Sequence, residues 1–170
     1  MPPSKHPPEP WDSFLGCLDA MVDRPVRLDC IGGFVVTQLY GLDRLTADID
    51  VIELAPPDIA AAIFSQASKG TPLARKHRVF IDRVSVAAIP EDYECRLVEM
   101  FPDAYRHLRL MAVDPYDLAL SKLERDSQKD RDDVRFLGRT IPLDLLKTSR
   151  SLPHGAALAV GRTCARRPDT

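Results

Sequence analysis

A glycine pair followed at short range by alternating aspartates constrains this chain more than any other feature: Gly32-Gly33, then Arg44-Leu45-Thr46-Ala47-Asp48-Ile49-Asp50-Val51-Ile52. Side chains alternate along an extended strand, so Asp48 and Asp50 project the same way with Cα atoms about 6.5 to 7 Å apart. Thr46 shares their face, while Leu45, Ile49 and Val51 turn to the other, where an apolar layer can bury them. Upstream, Arg27 to Ile31 reads as a short strand and Phe34 to Tyr40 as a short helix ending at Gly41. Gly32-Gly33 is then a strand-to-helix turn, whose bare backbone lets a phosphate approach helix N–H groups. Magnesium takes oxygen ligands and is held by one or two carboxylates plus substrate phosphates; paired metals sit about 3.5 to 4 Å apart. A glycine pair alone is an ordinary turn, and Asp-x-Asp alone is a common solvated edge strand. In this order and at this distance they point together to a metal and nucleotide site.

Composition sets the outer bounds. At 170 residues and 45% hydrophobic, the chain suits one domain with its own core. Lysine and arginine number 23 against 25 acids, a net charge of -2, so contact with a nucleic acid has to be local. Cys17, Cys30, Cys95 and Cys164 lack metal-ligand spacing and read as incidental thiols, and His6, His77, His107 and His154 are dispersed. No basic leader with an apolar run opens the sequence, and no stretch nears the roughly 18 apolar residues of a membrane span. The expectation is a cytoplasmic protein.

Residues 1–10 carry Pro2, Pro3, Pro7, Pro8 and Pro10 and read as a flexible lead-in. A domain over 11–148 follows, then a basic tail over 149–170. Trp11, Phe14, Leu15, Leu18, Met21 and Val22 recur at helical spacing up to Arg24-Pro25. Pro56-Pro57-Asp58 opens a helix that stops near Gly70; Val79–Ile81, Val84–Ile89 and Leu108–Val113 read as strands, and residues 90 to 101 as no more than a short helix. Asp114-Pro115-Tyr116-Asp117 is a helix start, with an N-cap acid, proline at N1 and a further acid in the first turn. Along that helix Tyr116, Leu120 and Leu123 form the expected buried stripe and Lys122 lies off it, free to turn toward a cleft. By itself a helix-surface lysine is usually only solvated.

Ser127 to Asp130 can cap a second helix that carries Val134, Phe136 and Leu137 inward and ends at Gly138; Asp130, Asp132 and Asp133 suit the positive end of its dipole without any catalysis. Ile141 to Leu146 reads as a last brief helix. Arg150, Arg162, Arg166 and Arg167 make the tail either a solvated segment or a basic arm for a nucleic acid. Arg75-Lys76-His77-Arg78 is a basic loop cluster, either solvated surface or an attractor of triphosphate or RNA backbone.

Gly-Gly, a short helix and Arg-x-Thr-x-Asp-Ile-Asp, followed by Pro115-Tyr-Asp117-Leu-Ala-Leu-Ser-Lys122-Leu and Lys129-Asp130-Arg-Asp-Asp133-Val, resemble the nucleotidyltransferase fold of the DNA polymerase beta type. The pattern is similar to its minimal branch of AbiEii-like toxins and related domains, over roughly residues 27 to 138. The resemblance implies an α/β (α+β) domain, a small mixed β-sheet with packed helices. It implies Asp48 and Asp50 as ligands of Mg2+ or Mn2+, with Asp82 the nearest candidate for a third carboxylate. Gly32 and Gly33 become the phosphate turn, with Arg44 and Thr46 beside it, and Lys122 and Asp130 complete the nucleotide site. Gly33 stands where many active members carry serine, which removes one hydroxyl contact to phosphate.

The expected activity is transfer of a nucleoside monophosphate from a nucleoside triphosphate to an acceptor hydroxyl. The toxin branch makes a tRNA 3′ end the first acceptor, a protein side chain the second, and an antitoxin the expected partner. The competing expectation is a nucleotide- or protein-binding module that keeps the fold and has lost the chemistry.

Overall fold

The computed structural model describes residues 5–85, 87–125 and 127–141. In chain order the elements are α1 (Trp11–Asp19), β1 (Val26–Ile31), α2 (Gly32–Gln38), β2 (Asp48–Ala55), α3 (Pro57–Ala67), α4 (Pro72–His77), β3 (Phe80–Arg83), a 3-10 turn at Tyr93–Arg96, β4 (Val98–Met100), β5 (Leu108–Ala112), α5 (Pro115–Arg125) and α6 (Gln128–Thr140). The strands form one mixed sheet in the order β3-β2-β1-β5-β4. β1 runs antiparallel to β2 and parallel to β5, β2 runs parallel to β3, and β4 closes the far edge antiparallel to β5. This is the expected small mixed sheet with packed helices.

Alternation explains the two faces. Val26, Leu28, Cys30, Ile49, Val51, Leu54, Ile81 and Leu110 are all buried and line one face, where Phe14, Leu15, Leu18, Phe34, Val35 and Ile63 from the first helices pack on them. At about 25 cal/mol per Å2 of apolar area removed from water, this layer is the main source of stability. The register slips between Asp29 and Cys30, which pair with Glu53 and Val51, so Ile52 is an extra residue in β2. This bulge lets Ile49, Val51 and Leu54 all reach the core although their spacing breaks period two. Asp48 and Asp50 then stand on the opposite face.

The bulge also limits β3. Its ladder pairs Asp48 with Phe80 through Val51 with Arg83 and stops where β2 bends. Val84 makes one more bond, N–H to the Val51 carbonyl at 2.9 Å, and the described part of Val84–Ile89 is not a strand as the sequence pattern suggested. Two further expectations shift. α1 ends at Asp19, leaving Met21 54% exposed. Leu45 is 98% exposed because the strand begins only at Asp48, so the alternation does not extend back to it. Between residues 90 and 101 the chain forms a short strand as well as the brief helical turn. Cys17 and Cys30 are free thiols, and Cys95 is not. The expected helix over 141–146 and the basic tail lie outside the described residues, apart from Ile141.

Candidate functional site

Gly32 is where sequence and geometry meet most tightly. Its φ of +81° belongs to the left-handed region, and a Cβ there would stand 1.9 Å from Asp50 Oδ2. The Asp50 carboxylate therefore occupies the space that a side chain at 32 would fill, and only glycine permits both the backbone and the approach. Gly33 is open in a different way. A Cβ there would lie 3.1 Å from an Arg44 guanidinium nitrogen and 3.3 Å from Thr46 Oγ1. The two glycines, both buried, thus seat the two partners that the strand and its preceding loop bring in.

Both partners make further contacts. The Thr46 hydroxyl donates to Asp48 Oδ1 at 2.7 Å. Arg44 grips Asp133 of α6 with both terminal nitrogens, the longer bond being 3.2 Å. Asp133 in turn lies 2.6 Å from the Lys122 ammonium, and Asp130 takes the same ammonium at 3.4 Å. The Ser127 hydroxyl holds Asp130 and also accepts the Asp130 backbone N–H at 3.1 Å, the expected cap of α6. A cavity lined by Ile31, Gly32, Asp50, Val84, Ala87, Ala88, Ser121, Lys122 and Glu124 separates the aspartate strand from α5. Lys122 and Asp50 both line it.

Lys122 corrects the helical-wheel reading. The buried positions of α5 include Leu118, Ala119, Ser121 and Lys122, while Tyr116 and Leu120 are only partly covered and Leu123 is 52% exposed. A charge can be buried when its counter-charges are buried with it. Asp130 and Asp133 supply them, and hydrophobic periodicity carries no sign of that. Asp133, fully buried and bonded to both cations, is the site residue that sequence reasoning ranked below Asp130. The signal that could have found it was the i, i+3 pairing of two acids, Asp130 and Asp133, on one face of α6.

α5 is held in place from its start. Asp114 Oδ1 accepts the N–H groups of Tyr116 and Asp117 at 2.8 and 2.9 Å. Arg96 then binds Asp114 and Asp117 at 3.1 and 2.8 Å. Burial holds the Asp117 carboxyl above its ordinary range against the pull of Arg96. On the same sheet face as the aspartates, Asp29 is fully buried between Arg27 and the Tyr93 hydroxyl, and burial raises its carboxyl to about 6.

Asp48 and Asp50 are partly exposed, and register sets Asp82 of β3 directly beside Asp50. Among the described residues no three His, Cys, Asp or Glu side chains stand at metal-holding spacing. Asp48 and Asp50 are carboxylates with solvent access, a donor pair that would fit magnesium, an ion that keeps waters and completes its shell from phosphate oxygens. Of the residues singled out by sequence, Gly32, Asp50 and Lys122 line the cavity, Gly33, Arg44, Thr46, Asp48 and Asp130 adjoin them through the chain or the contacts above, and Asp82 adjoins through the strand register alone.

A mixed sheet whose glycine turn and aspartate strand face a lysine helix across a cleft has the nucleotidyltransferase fold. The family described as nucleotidyltransferase of unknown function (DUF6036) matches residues 17–150, and the chain belongs to it. No curated protein and no solved structure matches the chain. No helix among the described residues is long and apolar enough to cross a membrane.

Proposed function

We propose that the chain is a metal-dependent nucleotidyltransferase that moves a nucleoside monophosphate from a nucleoside triphosphate to the 3′ hydroxyl of an RNA, tRNA first among them. We further propose that it acts as an AbiEii-like toxin restrained by an antitoxin in the cytoplasm. The observation that supports this most is the Asp50 carboxylate seated on Gly32 in the cavity that Lys122 lines.

Asp48 and Asp50 would hold Mg2+ or Mn2+, which when bound neutralises phosphate charge and favours ionisation of a hydroxyl. Thr46 holds the Asp48 carboxylate in place before the nucleotide arrives, and Gly32 leaves the room that the Asp50 carboxylate occupies. Lys122 has three N–H donors and two carboxylate partners, which leaves capacity for a triphosphate oxygen. Arg44, anchored through Asp133, keeps a buried Nε–H without an acceptor among the described residues, and a phosphate oxygen would satisfy such a donor. The acceptor oxygen bonds to the α-phosphorus as the bond to the bridging oxygen of the β-phosphate breaks; pyrophosphate leaves and the hydroxyl proton passes to solvent.

The test is incorporation of each labelled nucleoside triphosphate, with magnesium or manganese, into total RNA and total protein. Label that enters RNA with the intact chain and not with the Asp48→Ala/Asp50→Ala variant supports the reading. Label in protein changes the acceptor. Nucleotide binding with no label in either pool replaces the transferase by a binding module.

A further inference from the structure

Resting on the transferase reading, a second surface beside the cleft bears on the acceptor. From Ile59 to Ile81 the chain contains no acid, yet it holds Lys69, Arg75, Lys76, His77 and Arg78. Lys69, Arg75, Lys76 and Arg78 are all exposed, and none has an ion-pair partner among the described residues. Arg24, Arg27, Arg44, Arg96, Lys122 and Arg135 are each paired with an acid, while Arg83, Arg106, Arg109 and Arg139 also lack an ion pair among the described residues, so the clustering of Lys69, Arg75, Lys76 and Arg78 in an acid-free stretch is what sets them apart. A helix C-terminus accommodates a cation or two, but four unneutralised cations in a chain of net charge -2 form a local positive field.

The position of this field matters as much as its sign. Arg78 leads through Val79 into β3, an edge strand whose first residue, Phe80, pairs with Asp48. Strand parity puts Phe80 on the same face as Asp48, Asp50 and Asp82. Its ring is only half buried, and the Lys69 ammonium sits 5.6 Å from its centroid. An aromatic face flanked by unpaired cations is what single-stranded nucleic acid binds, the ring taking a base and the cations tracking phosphates. A protein side chain as acceptor needs neither.

We infer that the β3 edge docks the single-stranded 3′ end of the acceptor nucleic acid. The terminal base stacks on Phe80, which holds its sugar hydroxyl beside Asp48, and the preceding phosphates pass over Lys69 and the Arg75, Lys76, Arg78 turn.

Fluorescence anisotropy of a labelled single-stranded RNA oligomer on the full chain, across a range of salt and without nucleotide, tests this apart from catalysis. The wild type binds, and the Arg75→Ser/Lys76→Ser/Arg78→Ser variant lowers the log–log salt slope by about 2, near 0.7 for each cation lost. Phe80→Leu weakens binding by about 5-fold or more with the slope unchanged, and Phe80→Tyr restores it. Labelled nucleoside triphosphate binding stays at the wild-type level in all three variants, which also shows that they fold. A wild type that does not bind RNA, or a triple variant with an unchanged slope, overturns the inference. RNA binding without label transfer refutes the transferase alone, and transfer to protein without RNA binding refutes the docking surface alone.

Discussion

Replacing Gly32 by alanine is the most direct challenge to the site as described. The new Cβ would meet Asp50 Oδ2 at 1.9 Å and Asp50 Cγ at 2.9 Å. Ordinary contact lies near 3.5 Å, so the carboxylate has to retreat by about 1.5 Å. Holding alanine at a φ of +81° costs about 1 to 2 kcal/mol, and driving Asp50 off its rotamer costs about 0.5 to 1.5 more. The sum, about 1.5 to 3.5 kcal/mol, corresponds in a chain of this length to a Tm lower by about 3 to 14 °C. Gly33→Ala is the control. Its nearest neighbours are the mobile end of Arg44 at 3.1 Å and Thr46 Oγ1 at 3.3 Å, and its φ is unstrained, so the loss stays under about 1 kcal/mol. Thermal scans of both variants, with and without magnesium, give the answer. Gly32→Ala should lose stability and any magnesium-induced rise in Tm together, while Gly33→Ala keeps its fold. Equal shifts in the two variants, or a Gly32→Ala chain as stable as the wild type, would refute the claim that Asp50 rests on this glycine.

The remaining predictions concern buried charge. Asp133→Asn leaves Lys122 and Arg44 to share a neutral amide, and urea denaturation should show a loss of about 3 kcal/mol or more. Asp130→Asn, whose contact to Lys122 is 3.4 Å, should cost clearly less, and the reverse order would show that Asp130 is the true anchor. Asp29 gives a pH signature. Burial raises its carboxyl from 3.8 to about 6, with Arg27 and Tyr93 pulling it back, so the folded state binds the proton more tightly than the unfolded chain. Its contribution is present below about pH 4 and is lost as pH rises through about 6, with an amplitude of about 3 kcal/mol. Asp29→Asn should flatten the stability profile between those values, and an unchanged slope would assign it to another group.

What the sequence disclosed followed the range of the interactions involved. The Asp114 cap and the Ser127 cap depend on neighbours within a few residues, and both were legible. So was the aspartate strand, since Ile49 and Val51 alternate with Asp48 and Asp50 in the order that burial repeats. The failures were non-local. Val84 to Ile89 has strand-like composition, but whether it pairs depends on where a bulge in β2 ends the ladder. The buried face of α5 was misread because Lys122 is carried inward by charges on another helix. The candidate cleft could be outlined from spacing; that Asp133 ties its residues together could not, because Arg44 lies 89 residues away along the chain.

That separation has a consequence for how the protein comes into being. During synthesis the glycine turn and both strand aspartates leave the ribosome early, while the acid that neutralises Arg44 and Lys122 belongs to α6. Until α6 has emerged and docked, neither cation has its buried counter-charge, and the cleft is only half made. A nascent chain thus carries its aspartates beside unneutralised cations, and the charge-balanced cleft is a property of the finished fold alone.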